Sequence, residues 1–327
     1  MAAAQKVIID TDPGVDDAFA LFLALRSPEL QVEAITPVAG NVSLDLTLAN
    51  ALRLVEIAGR NDIPVAPGAS SPLIRRLVDA AYAHGNNGLA GVNFPAAKLQ
   101  PVKDRASALI SKIVRANPGS VIIVGIGPLT NVALALREDP EIVPLVQGLV
   151  LMGGSLSGGN VTPAAEFNFY VDPEAASIVF NSGIPIRMVG LDVTRKVELT
   201  DEHIRKLRAS SEPVSEAAAR IGDSAMKMNR SETSAAHMHL HDPLAVSCLI
   251  RPDILTFEDY HVAIETSGTI TAGQSVGWKH APINYSAPLH TAAPSPAVPF
   301  TSNAKVATGV DSEKFFDLLI SRLTQHG

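Results

Sequence analysis

The 327-residue chain sets 26 Lys and Arg against 33 Asp and Glu, a formal net charge of -7, and only 5% of it is aromatic. That balance excludes a phosphate backbone as the main partner and an aromatic stacking platform for single-stranded nucleic acid. With 46% hydrophobic and 18% charged residues and a mean hydropathy of +0.20, the chain is not disordered. It is long enough for one large domain or two ordinary ones with a full core.

Short apolar runs alternate with longer amphipathic ones through the first two thirds, the pattern of βα units that build a parallel sheet. Lys6–Asp10 reads as a strand, Asp16–Arg26 as a helix, Val32–Pro37 as a strand and Leu44–Ala58 as a helix. Val121–Val124, Leu149–Met152 and Ile186–Val189 read as further buried strands, with helices near Thr130–Arg137, Pro173–Asn181 and Thr200–Ala209. Ser210–Leu249 reads as helical, Tyr260–Ile270 as strand and turn, and Asp311–Thr324 as a closing amphipathic helix. Trp278–Asn303, rich in Pro, His and Ser, reads as an irregular loop insertion within a single domain spanning residues 1–327. The expected fold class is α/β: a mainly parallel central sheet flanked by helices, with a Rossmann-like core.

Cys248 is the only cysteine, so no internal disulfide forms and oxidising export is not implied. The first residues enter an apolar strand without the pattern of a signal peptide, and nowhere do 18 apolar residues run together. A cytoplasmic protein acting on a small molecule is expected, with neither membrane nor nucleic acid as partner.

In parallel sheets ligands bind beyond the carboxyl ends of the strands, so the residues just after these strands carry the most information. After the first strand comes Asp10-Thr-Asp-Pro-Gly-Val-Asp-Asp17, four carboxylates in eight residues with Pro13 and Gly14 forcing a tight turn. Unpaired, they repel one another, and a hard cation such as Ca²⁺ or Mg²⁺ relieves that repulsion. The competing reading is a helix cap, because Asp16 and Asp17 at a helix N-terminus are favoured by the backbone N–H groups whether or not an ion binds. An acidic strand end also suggests the haloacid-dehalogenase-like phosphotransferases. Those need a Ser or Thr at the second strand end and a late paired-Asp motif; here the second strand ends in Val38-Ala-Gly-Asn41, and no Asp-Asp pair follows Asp17.

The acidic loop, together with Val38-Ala-Gly-Asn41, His84-Gly-Asn-Asn-Gly88, Gly127-Pro-Leu-Thr-Asn131, Met152-Gly-Gly154, Ala165-Glu-Phe-Asn168 with Asp172-Pro-Glu-Ala175, and His241-Asp-Pro243, resembles the inosine-uridine-preferring nucleoside hydrolases. The resemblance covers roughly residues 5–275 and the final helix. It implies hydrolysis of ribonucleosides to ribose and free base, a Ca²⁺ ion at the strand ends, and a homodimer or homotetramer. Matched position by position, Asp12, Asp17 and Asp242 are the implied calcium carboxylates, and Ile126 supplies a backbone carbonyl. Asp12 is also the implied base for the attacking water. Asp16, Asn41, Asn160, Glu166 and Asn168 match groups holding the ribose hydroxyls, and Met152 lines the sugar pocket. His241 matches the acid for the departing base, and His84 lies in a loop that resembles a lid over the base site.

Chemistry supports these roles without the name. Loss of the base from C1′ develops an oxocarbenium-like cation, which an anionic pocket holding the 2′- and 3′-hydroxyls stabilises. Calcium acidifies water only mildly, so a carboxylate base is needed, and a departing purine calls for a proton donor with a pKa near neutrality, for which histidine is the natural choice.

Other signals have plainer readings. His237 and His241, four apart, suggest zinc, but Asp242-Pro243 starts a new helix there and the surrounding ligands are oxygen-rich. Gly125-Ile-Gly-Pro128 and Met152-Gly-Gly154 fit neither phosphate-loop motif and read as glycines that let backbone approach a sugar or metal. Asn131 reads as structural and Asn41 as functional. Glu166 and Asn168, if extended, point the same way around a buried Phe167. Ser224–His239 contains no Tyr or Trp to stack on a base, so base preference stays open. A non-catalytic riboside-binding protein on the same fold is the remaining rival.

Overall fold

The structure, a computed structural model, describes residues 3–228, 238–279 and 301–325. Strand β1 (Gln5–Thr11) leads into helix α1 (Val15–Leu25), and β2 (Leu30–Pro37) into α2 (Leu44–Ile57). A long segment carrying the one-turn helix α3 (Ala81–His84) precedes α4 (Ala106–Ala116), β3 (Val121–Gly125), α5 (Thr130–Glu138) and β4 (Val146–Met152). Next come α6 (Phe167–Val171), α7 (Pro173–Phe180), β5 (Ile186–Val189), α8 (Leu191–Thr194), β6 (Glu198–Leu199), α9 (Asp201–Arg208) and α10 (Pro213–Met228). The described chain ends with β7 (Met238–His239), α11 (His241–Ile250), β8 (Leu255–Ile264), β9 (Ser275–Trp278), β10 (Ala304–Val310) and α12 (Ser312–Thr324).

Eight strands form one sheet in the order β2-β1-β3-β4-β5-β10-β8-β9. Pairing is parallel from β2 through β10 and antiparallel only for β10–β8 and β8–β9, while β6 and β7 form a separate antiparallel pair. The sheet is therefore mainly parallel and flanked by helices. Both faces are covered. Val7, Ile9, Ile122, Val124 and Val150 pack with α1, α2 and α9–α12, whereas Ile8, Ala34, Ile123 and Leu149 pack with α4, α5 and α7. Burial on both faces is why these strands read as continuous apolar runs rather than alternating ones. Every residue of α1 is buried, because α2, α10, α11 and α12 pack around it.

The elements expected from the sequence are present within a few residues of their expected ends, with three differences. The stretch read as helical over Ser210–Leu249 holds two helices, α10 and α11, with β7 between them among the described residues. Pro243 is the third residue of α11, in the first turn, where its missing N–H breaks no intrahelical bond. Second, β9 and β10 carry no assignment from the sequence. Four residues are too few for a period, and β10 is specified by β5 on one side and β8 on the other. Third, most of the proline-rich insertion at 278–303 lies outside the described residues, as do His237 and most of the Ser224–His239 stretch.

Candidate active site

Because β1 to β5 run parallel, their carboxyl ends and the loops after them meet along one edge of the sheet. The acidic turn after β1 is held from within. Asp17, the third residue of α1, accepts from Thr11 Oγ1 (2.5 Å), Asp12 N (3.2 Å) and Gly14 N (2.9 Å). The capping reading is thus realised by Asp17 itself. Asn41, in the turn after β2, fastens the same loop: its N–H donates to Asp12 Oδ2 (2.7 Å), and its Nδ2 donates to Asp12 O (3.1 Å) and Asp17 Oδ2 (3.0 Å).

Capping does not exhaust these carboxylates. Asp16 and Asp17 meet Asp242, the second residue of α11, with carboxylate oxygens within 4.8 Å of one another and all three residues buried. Burial, and then repulsion between neighbouring carboxylates, raises Asp12, Asp17 and Asp242 above the usual carboxylate range. Asp12 Oδ1 is buried without a hydrogen-bond partner. Gly127 leaves the space beside it open, since a Cβ there would lie 2.6 Å from that oxygen. An unpartnered buried carboxylate oxygen beside three crowded acids is a donor set for a hard cation. Asp16, assigned to the sugar from the sequence, lies in this trio, and Asp12 borders it.

Asp10 is the exception among the four acids. The two-residue period of β1 puts it on the side of Ile8 rather than Ile9, toward α5. There its Oδ2 accepts from Thr36 Oγ1 (2.6 Å) and Asn131 Nδ2 (2.9 Å). Asn131 Nδ2 also reaches the carbonyls of Thr36 and Pro37, and its Oδ1 accepts from Ala69 N (2.8 Å), which is the structural part expected of it. Burial raises Asp10 to about 7.

Beside the trio lies a cavity of about 200 Å³. It is bordered by Asp16, Asn41, His84, Ile126, Met152, Asn160, Glu166, Asn168, His241 and Asp242. Of the residues the resemblance assigns to catalysis, the sugar or the metal, all border it except Asp12 and Asp17, which are buried. Glu166 and Asn168 reach it by a route other than the expected one. Residues 167–171 form a short helix, not an extended segment, because Glu166 caps it, accepting from Asn168 N (2.8 Å), Phe169 N (3.2 Å) and Gly154 N (2.9 Å). Burial still lifts Glu166 to about 7 against those three bonds. Asn168 Nδ2 donates to the carbonyls of Ile126 (3.0 Å) and Met152 (3.1 Å), fixing the two strand-end loops relative to each other. Asn160 Oδ1 accepts from Phe167 N (2.9 Å), and Phe167 is buried against Ala80 and Val171.

His241 Nδ1 lies 2.7 Å from Thr194 Oγ1, and its ring lies 5.7 Å from that of His239. Burial, with His239 and His84 nearby, pushes the imidazole down to about 3, so it is neutral at neutral pH. His84 Nδ1 accepts from Val15 N (3.0 Å), which seats the α3 segment on the first turn of α1. Thr194, His239 and Tyr82 are site residues that the sequence reading leaves out. Thr194 had a signal, since it follows β5 as the acidic turn follows β1; Tyr82 and His239 border the cavity only through tertiary placement.

An α/β fold whose parallel strands end at buried carboxylates beside a small, half-polar cavity defines a protein that acts on a small molecule. Residues 7–317 match the family described as inosine-uridine preferring nucleoside hydrolase. The chain is 43% identical over 321 residues to the pyrimidine-specific ribonucleoside hydrolase RihA of Citrobacter koseri, covering 98% of each. It is 44% identical to the protein of the same name from Salmonella gallinarum, also covering 98% of each. Among solved structures it resembles a plant nucleoside hydrolase, the PpNRh1 enzyme, with a TM-score of 0.89 at 35% identity over 98% of this chain and 99% of that one. It also resembles the purine-preferring ribonucleoside hydrolase from Gardnerella vaginalis, with a TM-score of 0.86 at 31% identity over 98% of each chain.

The chain belongs to the inosine-uridine-preferring nucleoside hydrolase family. It is an enzyme, and its reaction is the hydrolysis of ribonucleosides. The phosphotransferase and the non-catalytic binding protein are thereby set aside. The family is metal-dependent, and the buried acidic cluster could hold such an ion. Among the described residues no helix is long and apolar enough to cross a membrane.

Proposed function

We propose that this enzyme is a Ca²⁺-dependent hydrolase that splits the N-glycosidic bond of ribonucleosides, pyrimidine ribonucleosides foremost, to ribose and free base. The observation that carries the reading is the buried Asp16–Asp17–Asp242 trio at the edge of a cavity lined by hydrogen-bonding side chains, among them Asn41, Asn160, Glu166, Asn168 and His241, and by apolar ones such as Met152 and Phe167. The pyrimidine preference is supported by the printed names of the relatives at 43% and 44% identity. Calcium is supported by the all-oxygen donor set: carboxylates, the unpartnered Asp12 Oδ1 and the Ile126 carbonyl at the cavity wall.

Asp12, Asp17, Asp242 and the Ile126 carbonyl would hold the cation, which would supply positive charge that polarises the attacking water. Asp12 takes a proton from the water. The water oxygen bonds to C1′ as the C1′–N bond breaks with its electron pair passing to the base. Asp16, Asn41, Asn160, Glu166 and Asn168 hold the ribose hydroxyls, with Met152 against the ring. The base leaves with that electron pair, steadied by a hydrogen bond from the other ring nitrogen of neutral His241, which Thr194 fixes, and it takes its proton from solvent, to which Asp12 returns the one gained from the water. His84 stands on the base side.

The oligomer is proposed to be a homodimer or homotetramer, with exposed Ile74 and Ile270 as apolar surface available for burial, and the cytoplasm as its compartment. Ribose release from uridine, cytidine and inosine, measured with calcium and after chelation, tests the reading. Activity that survives complete metal removal, or faster turnover of inosine than of either pyrimidine, contradicts it.

A further inference from the structure

Asn50 sits on α2, outside the cavity lining, and is only 1% exposed. Its side-chain amide is fully used. Nδ2 donates to the carbonyl of Pro13 (3.1 Å) and to that of Asn87 (2.9 Å), while Oδ1 accepts from Arg53 (3.1 Å). Pro13 belongs to the acidic turn, between Asp12 and Asp16; Asn87 belongs to the loop that follows His84. One amide therefore joins the two.

The loop after His84 is stiff enough to transmit that bond. Ala90 N donates to His84 O (2.7 Å), Asn87 Oδ1 accepts from Leu89 N (3.0 Å) and Gly91 N (2.9 Å), and Ser224 Oγ holds Ala90 O (2.7 Å). Gly88 packs directly on the joint with φ +80; a Cβ there would lie 2.9 Å from Asn50 Nδ2 and 3.2 Å from Pro13 O. The start of the loop is tied as well, by Val15 N–H to His84 Nδ1. His84 is thus related to the acidic turn twice, once directly and once through Asn50.

We infer that Asn50 is a positioning residue of the hydrolase: through Asn87 and Pro13 it sets where His84 stands relative to the acidic turn. The inference rests on the assignment of His84 to the base side of the cavity. The carbonyl of buried Pro13 and that of half-buried Asn87 converge on one amide, and without a donor between them both lose a hydrogen bond. Asn50→Asp keeps the shape but presents an acceptor to two acceptors, which drives the loop and the turn apart.

The test is a double-mutant cycle on kcat and KM for uridine at saturating calcium, using Asn50→Asp, His84→Ala and the double variant, with melting temperature and bound calcium measured on each. Asn50→Asp is expected to lower kcat/KM on the order of tenfold to a hundredfold, mainly through KM. In the His84→Ala background it is expected to change kcat/KM by no more than about twofold. Additive losses in the cycle, or an unchanged kcat/KM in folded Asn50→Asp, overturn the inference while leaving the His84 assignment intact. A His84→Ala enzyme indistinguishable from the wild type overturns both. Gly88→Ala strains the same joint from the loop side and is expected to give the same non-additivity; if Asn50→Asp does not fold, that second cycle decides.

Discussion

His241 illustrates how environment sets the use of a residue. A histidine held near 3 by burial is not an imidazolium waiting to discharge a proton; on the proposed mechanism it is a neutral hydrogen-bond donor whose help matters only as the leaving base gains charge. His241→Ala is therefore expected to slow uridine hydrolysis about 10²- to 10³-fold, the effect of removing one donor from a developing anion. Nitrophenyl riboside, whose leaving group departs without a proton, is expected to lose far less. Equal losses on both substrates would assign His241 to holding the sugar. The proposed hydroxyl contacts make a separate prediction at this scale. A site built to bond a hydroxyl leaves buried polar groups unpaired when that hydroxyl is missing, a discrimination that reaches about 10⁴-fold. kcat/KM for 2′-deoxyuridine is expected to fall steeply below that for uridine, although the intrinsically weaker deoxyriboside bond works in the opposite direction. Values within a few-fold of each other would remove Asp16, Asn41 and Asn168 from the sugar.

At the level of elements, the site depends on short helices whose first turns are capped by buried acids. Asp172 joins three segments at the start of α7, accepting from Ala175 N (3.0 Å), Leu73 N (2.9 Å) and Thr130 Oγ1 (2.7 Å). It touches neither the cavity nor the acidic trio. Asp172→Ala is expected to cost about 2–4 kcal/mol of stability, from a lost cap and two further buried donors left unpaired. Thermal unfolding checks this, and kcat of the folded variant at low temperature is expected to stay within a few-fold of wild type. An unchanged melting temperature would show that water replaces the carboxylate. Glu166 does the same for α6 while also bordering the cavity, which is why a segment expected to be extended is helical.

For the molecule as a whole, the buried acids make stability depend on pH and on the cation. Asp10 and Glu166 are raised to about 7, and Asp12, Asp17 and Asp242 are raised as well. Acids held above their unfolded values bind more protons folded than unfolded, so metal-free stability falls as pH rises through the folded values. His241, shifted downward, opposes this only below about 6.5, its unfolded value. A calcium ion held there, as proposed, would neutralise the trio and compete with its protons. The melting temperature of chelated protein is expected to drop between about pH 6 and pH 8, with a smaller drop in excess calcium, so that the gap between the two widens with pH. A gap that stays constant or narrows would contradict a cation at the trio.

The sequence by itself determined most of this enzyme. Two-sided burial wrote the centres of β1, β3 and β4 as apolar runs, with β2 interrupted by Gln31 and Glu33, and the carboxyl ends of these strands lead into Asp12, Asn41, Ile126 and Met152, so strand position already placed those residues at one edge of the sheet. What only the tertiary structure decided depends on partners distant in the chain. The side of β1 that Asp10 faces places it with Asn131 and Thr36 rather than with the other acids. The docking of α11 beside α1 puts Asp242 within ligand distance of both Asp16 and Asp17. The pairing of β10 with β5 and β8, the Thr194 contact of His241 and the Asn50 amide between Pro13 and Asn87 leave no local pattern at all. Periodicity records whether a side chain is buried; which other buried group it meets is fixed only when distant segments pack together.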